Sequence, residues 1–351
     1  MSWVSTLARP EIVALKPYEH AAWDPALTRL HANELPWRGL DDESVAGLNR
    51  YPEPQARALI EQLAQLYGVT PGALLICRGS DEAIDLLVRA FCRASQDAVL
   101  VCPPTFGMYA VAAHIQGATL VNVPLLADKD YALDERALRD ACQQEVKIVF
   151  LCSPNNPTGN LLHDDAILRI ATALEGRALV VVDEAYVEFA ACESLTRRLP
   201  QRPNLVVLRT LSKAHGLAGA RLGTLIADRE VIGLLRKVIA PYAVPQLILE
   251  AVAELLNPRH LRTLPRRIEQ VRAERTRMQH ALSQRPIVTQ VLPSEANFLL
   301  ARFKDPALAL ARANAAGVLV RDARGYLGLA DALRVSIGTR DQNDRLLRAW
   351  A

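Results

Sequence analysis

Short apolar runs recur through the first part of the chain, and they constrain the fold more than any other feature of the sequence. They cover residues 74–77, 98–102, 146–152, 179–182 and 205–208. Runs of this length that are rich in Val, Ile and Leu are typical of strands buried on both faces of a sheet. Helical patterns separate them, at residues 54–67, 82–93, 106–116 and 163–175. This alternation predicts an α/β fold in which helices pack on a mostly parallel sheet.

Each apolar run is followed by a polar or glycine-containing segment. The carboxyl ends of parallel strands meet at one edge of the sheet, and this edge is where ligands bind in α/β folds. We therefore expect these segments to surround one ligand site. They are residues 78–82, 103–109, 153–159, 183–186 and 209–213.

The composition is that of an ordinary globular protein, and it argues against several classes of function. The 351 residues include 41 basic and 38 acidic ones without a basic tract, which disfavours nucleic-acid or membrane-surface binding. The six cysteines form no CxxC pair and no Cys/His cluster, so no metal site is expected. Neither a signal peptide nor an apolar run of the ~18 residues that a membrane span requires is found. These features predict a cytoplasmic protein.

The length of the chain and a change of pattern near residue 245 predict a division into domains. Residues 1–50 are expected to form an arm, residues 51–245 a large domain, and residues 246–351 a small α+β domain. Prolines interrupt any long helix in the arm, at Pro10, Pro17, Pro25 and Pro36. In the small domain, helices are predicted at residues 246–256, 259–284 and 306–316, and strands at 287–292, 297–302, 317–320 and 333–337.

Lys213 lies just after the last of the apolar runs, within the segment TLSKAHGLAGARLG. Desolvation at the end of a buried strand lowers the pKa of a lysine and suits it to form a Schiff base with a carbonyl compound. Thr210 and Ser212 offer hydroxyl groups beside it, and Arg221 offers a guanidinium matched to phosphate. Together these groups indicate a phosphorylated aldehyde as cofactor, although a lone lysine near a strand end is more often a solvated surface residue.

Other side chains at the predicted edge have two interpretations that the residues alone leave open. Ser80 and Asp81 lie between a strand and a helix, where backbone N–H groups favour an anion, but Ser-Asp is also a common helix N-cap. Phe106 follows a strand end, where it would either stack on a planar ring or pack in the core. Asp183 ends a buried strand and needs a partner for its charge. A protonated pyridine nitrogen would serve, with Tyr186 in reach of a phenolate oxygen on the same ring.

Three motifs, SPNNPTG at 153–159, DEAY at 183–186 and TLSKAHGLAGARLG at 210–223, resemble those of the fold type I, aspartate-aminotransferase-like enzymes that use pyridoxal 5'-phosphate. Within this group the chain is most similar to the histidinol-phosphate aminotransferase family, because further motifs follow its pattern in the same order. These are LKPYE at 15–19, HANE at 31–34, YPEP at 51–54, RGSDEAIDLL at 78–87, PPTFGMYA at 103–110, SEANFLL at 294–300, VRD at 320–322 and LRVSIGT at 333–339. The resemblance covers nearly the whole chain.

The resemblance implies a role for each candidate residue of the cofactor site. Lys213 would hold the cofactor as a Schiff base and move the substrate proton. Asp183 would pair with the pyridinium nitrogen, while Asn156 and Tyr186 would hydrogen-bond the ring oxygen. Phe106 would stack on the ring. The groups that would hold the phosphate are the backbone of Ser80 and Asp81 and the side chains of Thr210, Ser212 and Arg221.

The resemblance also implies how substrate is bound. Arg334 would bind a carboxylate, Arg321 and Tyr18 would lie near the substrate phosphate, and Asn33 would belong to the same pocket. Tyr51 would reach the site of a neighbouring subunit, which implies a homodimer. The N-terminal arm would then pack on the small domain and on the partner subunit.

The implied reaction converts L-histidinol phosphate and 2-oxoglutarate to imidazole-acetol phosphate and L-glutamate, a step of histidine biosynthesis. Two alternatives stay open at this point. One is a different enzyme on the same fold, such as an aromatic aminotransferase or a threonine-phosphate decarboxylase. The other is a cofactor-binding regulator without catalysis, which is disfavoured because the sequence has no basic helix-turn-helix segment.

Overall fold

The computed structural model describes residues 3–20, 24, 26–143 and 145–351. The predicted arm, residues 1–50, therefore includes positions outside the described residues, among them Pro25. The helices are α1 Trp3–Leu7, α2 Pro10–Ala14, α3 Arg57–Tyr67, α4 Gly79–Phe91, α5 Met108–Gln116, α6 Glu135–Ala141, α7 Asp164–Ala173, α8 Arg229–Leu235, α9 Gln246–Leu255, α10 Pro258–Ser283, α11 Pro306–Ala315 and α12 Arg340–Ala349. The strands are β1 Leu74–Cys77, β2 Ala98–Val101, β3 Thr119–Asn122, β4 Val146–Cys152, β5 Leu179–Asp183, β6 Leu205–Thr210, β7 Gly223–Ile226, β8 Val288–Val291, β9 Phe298–Phe303, β10 Arg321–Asp322 and β11 Ala332–Ser336.

Within the described part of the chain, β1 to β7 form one seven-stranded sheet, here called the larger sheet, in the order β1-β7-β6-β5-β4-β2-β3. Neighbouring strands from β6 to β3 run parallel, whereas β7 is antiparallel to both β1 and β6. The mostly parallel sheet that the apolar runs predicted is confirmed. The sequence did not predict β3 or β7, because β3 is partly exposed at the sheet edge and β7 is a short run that begins with glycine.

Side chains of the parallel strands alternate between two apolar cores, one on each face of the larger sheet. Val180 and Val182 pack in a core with α3, α7 and α9. Leu179 and Val181 pack in the other core, with α4, α5 and α8. Because successive side chains of a strand point to opposite faces, a run that is apolar throughout can fill both cores.

The second sheet, here called the smaller sheet, is antiparallel and has the order β10-β11-β9-β8. Helices α10, α11 and α12 pack against it. The strand predicted at residues 317–320 is wrong, and pairing begins only at β10. Gly317 and Val318 instead donate their N–H groups to the carbonyls of Asn314 and Ala313, where they end α11.

The first described helices pack on the larger sheet, a contact that the sequence did not predict. Val4 of α1 and Ile12 of α2 are buried in the same core as α4. Further along the arm, the N–H groups of Val45 and Ala46 donate to the carboxylate of Glu250 in α9, at 3.1 and 2.9 Å. The arm therefore contacts both sides of the predicted boundary near residue 245, and the bounds of the arm and domains stay predictions. None of the described helices is both long and apolar enough to cross a membrane.

Candidate active site

A cavity of about 350 Å³ opens at the carboxyl edge of the larger sheet, where the smaller sheet faces it. The structure brings most of the predicted site residues together around this cavity. They are Ser80, Asp81, Phe106, Asn156, Asp183, Tyr186, Thr210, Ser212, Lys213, Arg221, Arg321 and Arg334. Three of the four further lining residues lie beside or within the quoted motifs, and the fourth, Tyr326, lies outside all of them. Sequence reasoning missed all four. They are Cys152, Ala185, Ala218 and Tyr326.

One end of the cavity is built as an anion cradle at the first turn of α4. Gly79 has a φ of 78°, and a Cβ there would lie 2.7 Å from Nη2 of Arg221. A Cβ on Gly223 would lie 2.5 Å from the carbonyl carbon of Gly79, so β7 can approach the start of α4 this closely only because residue 223 is a glycine. Arg221 Nη2 donates to Asp81 Oδ2 at 3.1 Å, and the Thr210 hydroxyl lies 3.0 Å from that of Ser212. Helix N–H groups, hydroxyls and a guanidinium are the donors that bind phosphate.

Asp183 lies across the cavity, at the end of β5, and is buried. Burial raises the pKa of its carboxyl group to about 6, against the lowering effect of its hydrogen bonds. Oδ2 accepts the hydroxyl of Tyr109 at 2.9 Å, and Oδ1 accepts the N–H of Ala185 at 3.1 Å. Sequence reasoning missed Tyr109, although it lies within the quoted PPTFGMYA motif, three residues after Phe106.

Lys213 and Tyr186 face each other in the same cavity, with Lys213 Nζ 5.6 Å from the centre of the Tyr186 ring. Lys213 is exposed to the cavity, but neighbouring atoms surround its amine closely. The resulting desolvation is the main cause that lowers its pKa, and the positive charge of Arg334 lowers it further. Burial raises the pKa of Tyr186, so its hydroxyl stays protonated and can donate at neutral pH. Phe298 packs edge-on against the Tyr186 ring at 5.1 Å and fixes its orientation.

The two asparagines of the SPNNPTG turn have different roles. The side chain of Asn155 is buried and holds the turn, because its amide donates to Pro104 at 2.8 Å and to Thr158 at 2.6 Å. Asn156 instead lines the cavity, where its Oδ1 accepts a hydrogen bond from Nη1 of Arg334. The turn therefore directs the side-chain amide of Asn156 at the cavity.

Two arginines of the smaller sheet form the remaining wall. Arg321 of β10 and Arg334 of β11 are direct cross-strand partners. Like charges placed opposite each other destabilise a sheet unless an anion lies between or beside them. The Nε of Arg334 is buried and has no hydrogen-bond partner among the described residues, while its guanidinium lies 5.1 Å above the ring of Phe298. This wall is suited to a phosphate or carboxylate ligand.

Three predicted substrate residues lie away from this cavity within the chain. Tyr18 is 65% exposed, and its ring contacts that of His20 at 5.6 Å. Tyr51 is 50% exposed and stacks on Tyr242 with 4.6 Å between ring centres. Asn33 lines a separate surface groove together with Tyr51. The cavity within one chain therefore does not include these three residues.

A family model described as aminotransferase class I and II matches residues 37–349. The chain belongs to this family. A histidinol-phosphate aminotransferase of Stenotrophomonas maltophilia is 50% identical over 355 aligned residues, which cover 99% of this chain and 96% of that protein.

Solved structures show the same architecture. The histidinol-phosphate aminotransferase of Sinorhizobium meliloti, solved in complex with pyridoxal-5'-phosphate, is 26% identical and superposes with a TM-score of 0.78, covering 86% of this chain and 82% of that one. The L-threonine-O-3-phosphate decarboxylase of Porphyromonas gingivalis is 28% identical, with a TM-score of 0.73 and coverage of 86% and 92%. The class I and II aminotransferases use pyridoxal 5'-phosphate on the fold type I scaffold, and this chain has that fold.

The donors in the cavity fit such a cofactor. The anion cradle at Gly79 and Arg221 matches its phosphate, and the buried Asp183 matches its ring nitrogen. A lysine of lowered pKa, Lys213, lies in the same cavity as both. Among the residues that the structure describes, no group of three His, Cys, Asp or Glu side chains could hold a metal ion.

Proposed function

We propose that this family member interconverts L-histidinol phosphate and 2-oxoglutarate with imidazole-acetol phosphate and L-glutamate, with pyridoxal 5'-phosphate bound at Lys213. The observation that carries the proposal is the single cavity in which Lys213, the buried Asp183 and the cross-strand pair Arg321 and Arg334 meet. The similarity to the Stenotrophomonas enzyme supports the choice of substrate.

In this proposal the phosphate of the cofactor lies on the cradle formed by the backbone N–H groups of Ser80 and Asp81 and the side chains of Thr210, Ser212 and Arg221. The cofactor, when bound, supplies a ring that withdraws electrons from the amine-bearing carbon of the substrate. Residues of the opposite wall then orient that ring.

Asp183 keeps the ring nitrogen protonated. Without the cofactor its charge is buried and has no cation among the described residues in hydrogen-bond contact. Asn156 and Tyr186 donate to the ring oxygen, and Phe106 packs on the ring face. Lys213 would be the proton carrier: once the substrate amine has displaced it from the cofactor, its Nζ would move the proton between the amine-bearing carbon of the substrate and the cofactor. A lowered pKa suits a lysine to this task, because the neutral amine must be accessible near neutral pH.

The two arginines of the smaller sheet bind the anionic groups of both substrates. Arg334 holds the carboxylate of glutamate or 2-oxoglutarate, and Arg321 helps to hold the phosphate of histidinol phosphate. The unpartnered Nε of Arg334 supports this role, because a buried donor without an acceptor is costly unless a ligand supplies one.

A coupled assay for glutamate formation from 2-oxoglutarate tests the proposal. Histidinol phosphate, aromatic amino acids and threonine phosphate are compared side by side, with carbon dioxide release measured in parallel. We expect histidinol phosphate to give the highest kcat/KM. Carbon dioxide release from threonine phosphate would instead favour a decarboxylase, the activity named for the Porphyromonas neighbour.

We further propose that the active form is a homodimer in which Tyr18, Asn33 and Tyr51 complete the partner's site. Their exposure and their absence from the lining of their own cavity support this arrangement. We expect activity to fall on dilution and Tyr51→Ala to lower kcat/KM. Light scattering that shows a fully active monomer would contradict the dimer.

The remaining proposals concern organisation and location. We propose residues 1–50 as an arm, residues 51–245 as the cofactor-binding domain and residues 246–351 as a small domain. Limited proteolysis should cut first near the two boundaries. We also propose a cytoplasmic location, which the six free cysteines support because a reducing compartment keeps thiols unpaired. Fractionation of the source cells would test it.

A further inference from the structure

Tyr109, on α5, is fully buried directly behind the Asp183 carboxylate and is not among the residues that line the cavity. Its ring stacks on Phe150 of β4, with 4.7 Å between ring centres and 2° between ring planes. Phe106 also packs edge-on against it, with 5.6 Å between ring centres. The ring is therefore held between aromatic neighbours, and its hydroxyl has a fixed direction.

That direction leads to Asp183. The Tyr109 hydroxyl donates to Oδ2 at 2.9 Å, and the N–H of Ala185 donates to Oδ1 at 3.1 Å. Each oxygen thus has one donor from the chain, and each retains a lone pair for a further partner. A carboxylate fixed at both oxygens cannot rotate, so the acceptor that it presents to the cavity has one orientation.

The charged and titratable groups around this carboxylate come from four other elements. Asp81 of α4 disfavours its negative charge, while Lys213 in the loop after β6 favours it. The Cys152 thiol of β4 lies beside the Tyr109 hydroxyl, and burial raises the pKa of both. Tyr109 therefore stays protonated, and it donates to Asp183 rather than accepting from it.

We propose that Tyr109 is a positioning residue, whose hydroxyl holds the Asp183 carboxylate as an oriented anion toward the ring nitrogen of the cofactor. The inference rests on the proposed function, since it concerns the same site. A role in packing alone would require only the aromatic ring, because the stacking on Phe150 involves no hydroxyl.

Removal of the hydroxyl has a defined electrostatic consequence. Without this donor the Asp183 anion is less stable, and the proton that it shares with the ring nitrogen moves toward the carboxylate. The ring then carries less positive charge. The nitrogen that Lys213 contributes to the bound cofactor is protonated and conjugated to the ring. With less positive charge nearby it holds its proton more tightly, so its pKa rises.

The experiment uses the full-length chain with pyridoxal 5'-phosphate bound and compares Tyr109→Phe with Tyr131→Phe. Tyr131 is a matched control, because its buried hydroxyl also makes a side-chain hydrogen bond, with Arg302 at 3.1 Å, outside this cavity. The pH titration of the lysine-bound cofactor is followed by its absorbance. For Tyr109→Phe we expect the midpoint of this titration to rise by at least about half a pH unit. The dissociation constant for the cofactor should rise about tenfold, and kcat should fall about tenfold while KM for glutamate changes less than about twofold. Tyr131→Phe should leave all four values unchanged.

A second substitution protects the test against a folding defect. Replacing Tyr109 by 3-fluorotyrosine keeps the ring and strengthens the donor, so the absorbance midpoint should move in the opposite direction. If Tyr109→Phe and the fluorinated protein both titrate like the wild type, Tyr109 only packs and the proposal is overturned while the proposed function stands. If the wild type neither binds the cofactor nor forms glutamate, both are overturned.

Discussion

Asp183 and Glu184 are adjacent in sequence and equally buried, yet their surroundings differ completely. Burial raises the pKa of each to about 6. Glu184 accepts from the Ser194 hydroxyl at 2.5 Å and from the N–H of Leu195 at 2.7 Å, and it lies 3.6 Å from the guanidinium of Arg209. Asp183 has two hydrogen-bond donors but no such cation.

The difference follows from the alternation of side chains along the strands. Glu184 lies on the face of Tyr67, over whose ring Arg209 is placed at 4.7 Å. Arg209 also pairs with Glu188 at 2.7 Å, so the charges on this face are compensated within the chain. Asp183 lies on the face that carries the cavity. A buried charge that the chain leaves uncompensated is a binding site for a ligand of opposite charge, whereas a compensated one holds strands together.

The largest effect is expected from Lys213→Ala, which tests whether the chemistry lies on the cavity face. Turnover should be lost, because no other described side chain of the cavity is a lysine. Thermal unfolding should remain close to that of the wild type, since Lys213 is exposed. Borohydride reduction of the wild type should fix the cofactor on Lys213, as mapped by peptide mass spectrometry. Lys304→Ala, a substitution of an exposed lysine, is the control and should be fully active.

A pair of substitutions, Asp183→Asn and Glu184→Gln, tests the comparison itself. Asp183→Asn should lower kcat by about 10³-fold, because a neutral amide cannot hold the ring nitrogen protonated. Glu184→Gln should lower the free energy of unfolding by ~1–3 kcal/mol, since Arg209 loses one of its two carboxylates. Activity of the folded Glu184→Gln protein should stay within about threefold of the wild type.

Steady-state kinetics and urea unfolding of both variants measure the two effects. The opposite pattern, with Glu184→Gln inactive and Asp183→Asn active, would reject the assignment of the two faces.

A smaller effect is expected from Arg321→Ala, a cation of the cavity face. Wild-type enzyme should prefer histidinol phosphate over histidinol by at least about tenfold in kcat/KM, because charge-assisted hydrogen bonds to phosphate are worth ~1.5–3 kcal/mol. Arg321→Ala should remove much of this preference and leave the glutamate half-reaction comparatively intact. Arg334→Ala should damage both half-reactions. Equal use of histidinol and its phosphate by the wild type would shift the assignment toward a general aromatic aminotransferase.

The smallest effect concerns the pH dependence of stability in the cofactor-free protein. The pKa of Asp183 is raised from 3.8 to about 6 on folding, so the folded protein binds the extra proton. Its contribution to stability is therefore present below about pH 4 and is lost as the pH rises to about 6, by at most ~3 kcal/mol. Asp183→Asn should remove this slope from chemical unfolding curves measured between pH 4 and pH 7. A cofactor that pairs with Asp183 should also remove it, whereas the slope due to Glu184 should persist with cofactor bound.

Much of the fold and of the cavity could be predicted from local signals in the sequence. Strands buried on both faces are apolar throughout, so β4, β5 and β6 were found within two residues of their ends. The parallel arrangement then predicts that Asn156, Asp183 and Lys213 lie at one edge of the sheet. The structure brings these three together in one cavity.

The features that were missed depend on contacts between distant parts of the chain. In the sequence, Tyr109 is indistinguishable from the other apolar positions of its helix. Its role depends on a hydrogen bond to Asp183, which is 74 residues away in sequence. The close approach of β7 to the residues that follow β1 depends on Gly223, whose Cβ would clash with the backbone of Gly79 and Ser80, and the local sequence around Gly223 does not show this contact. The prediction of a strand at residues 317–320 was wrong for a related reason. The N–H groups of Gly317 and Val318 already donate to carbonyls at the end of α11.

The position of β1 at the edge of the larger sheet has a consequence for synthesis of the chain on the ribosome. Its only strand partner among the described residues is β7, and Cys77 pairs with Gly223, 146 residues later. At about 5–20 residues per second, the apolar β1 waits about 7–30 s before its partner leaves the ribosome. During this time its unpaired backbone is a template for pairing with other nascent chains. We therefore expect chaperones that bind during translation to contact the segment around residues 74–77 in the emerging polypeptide.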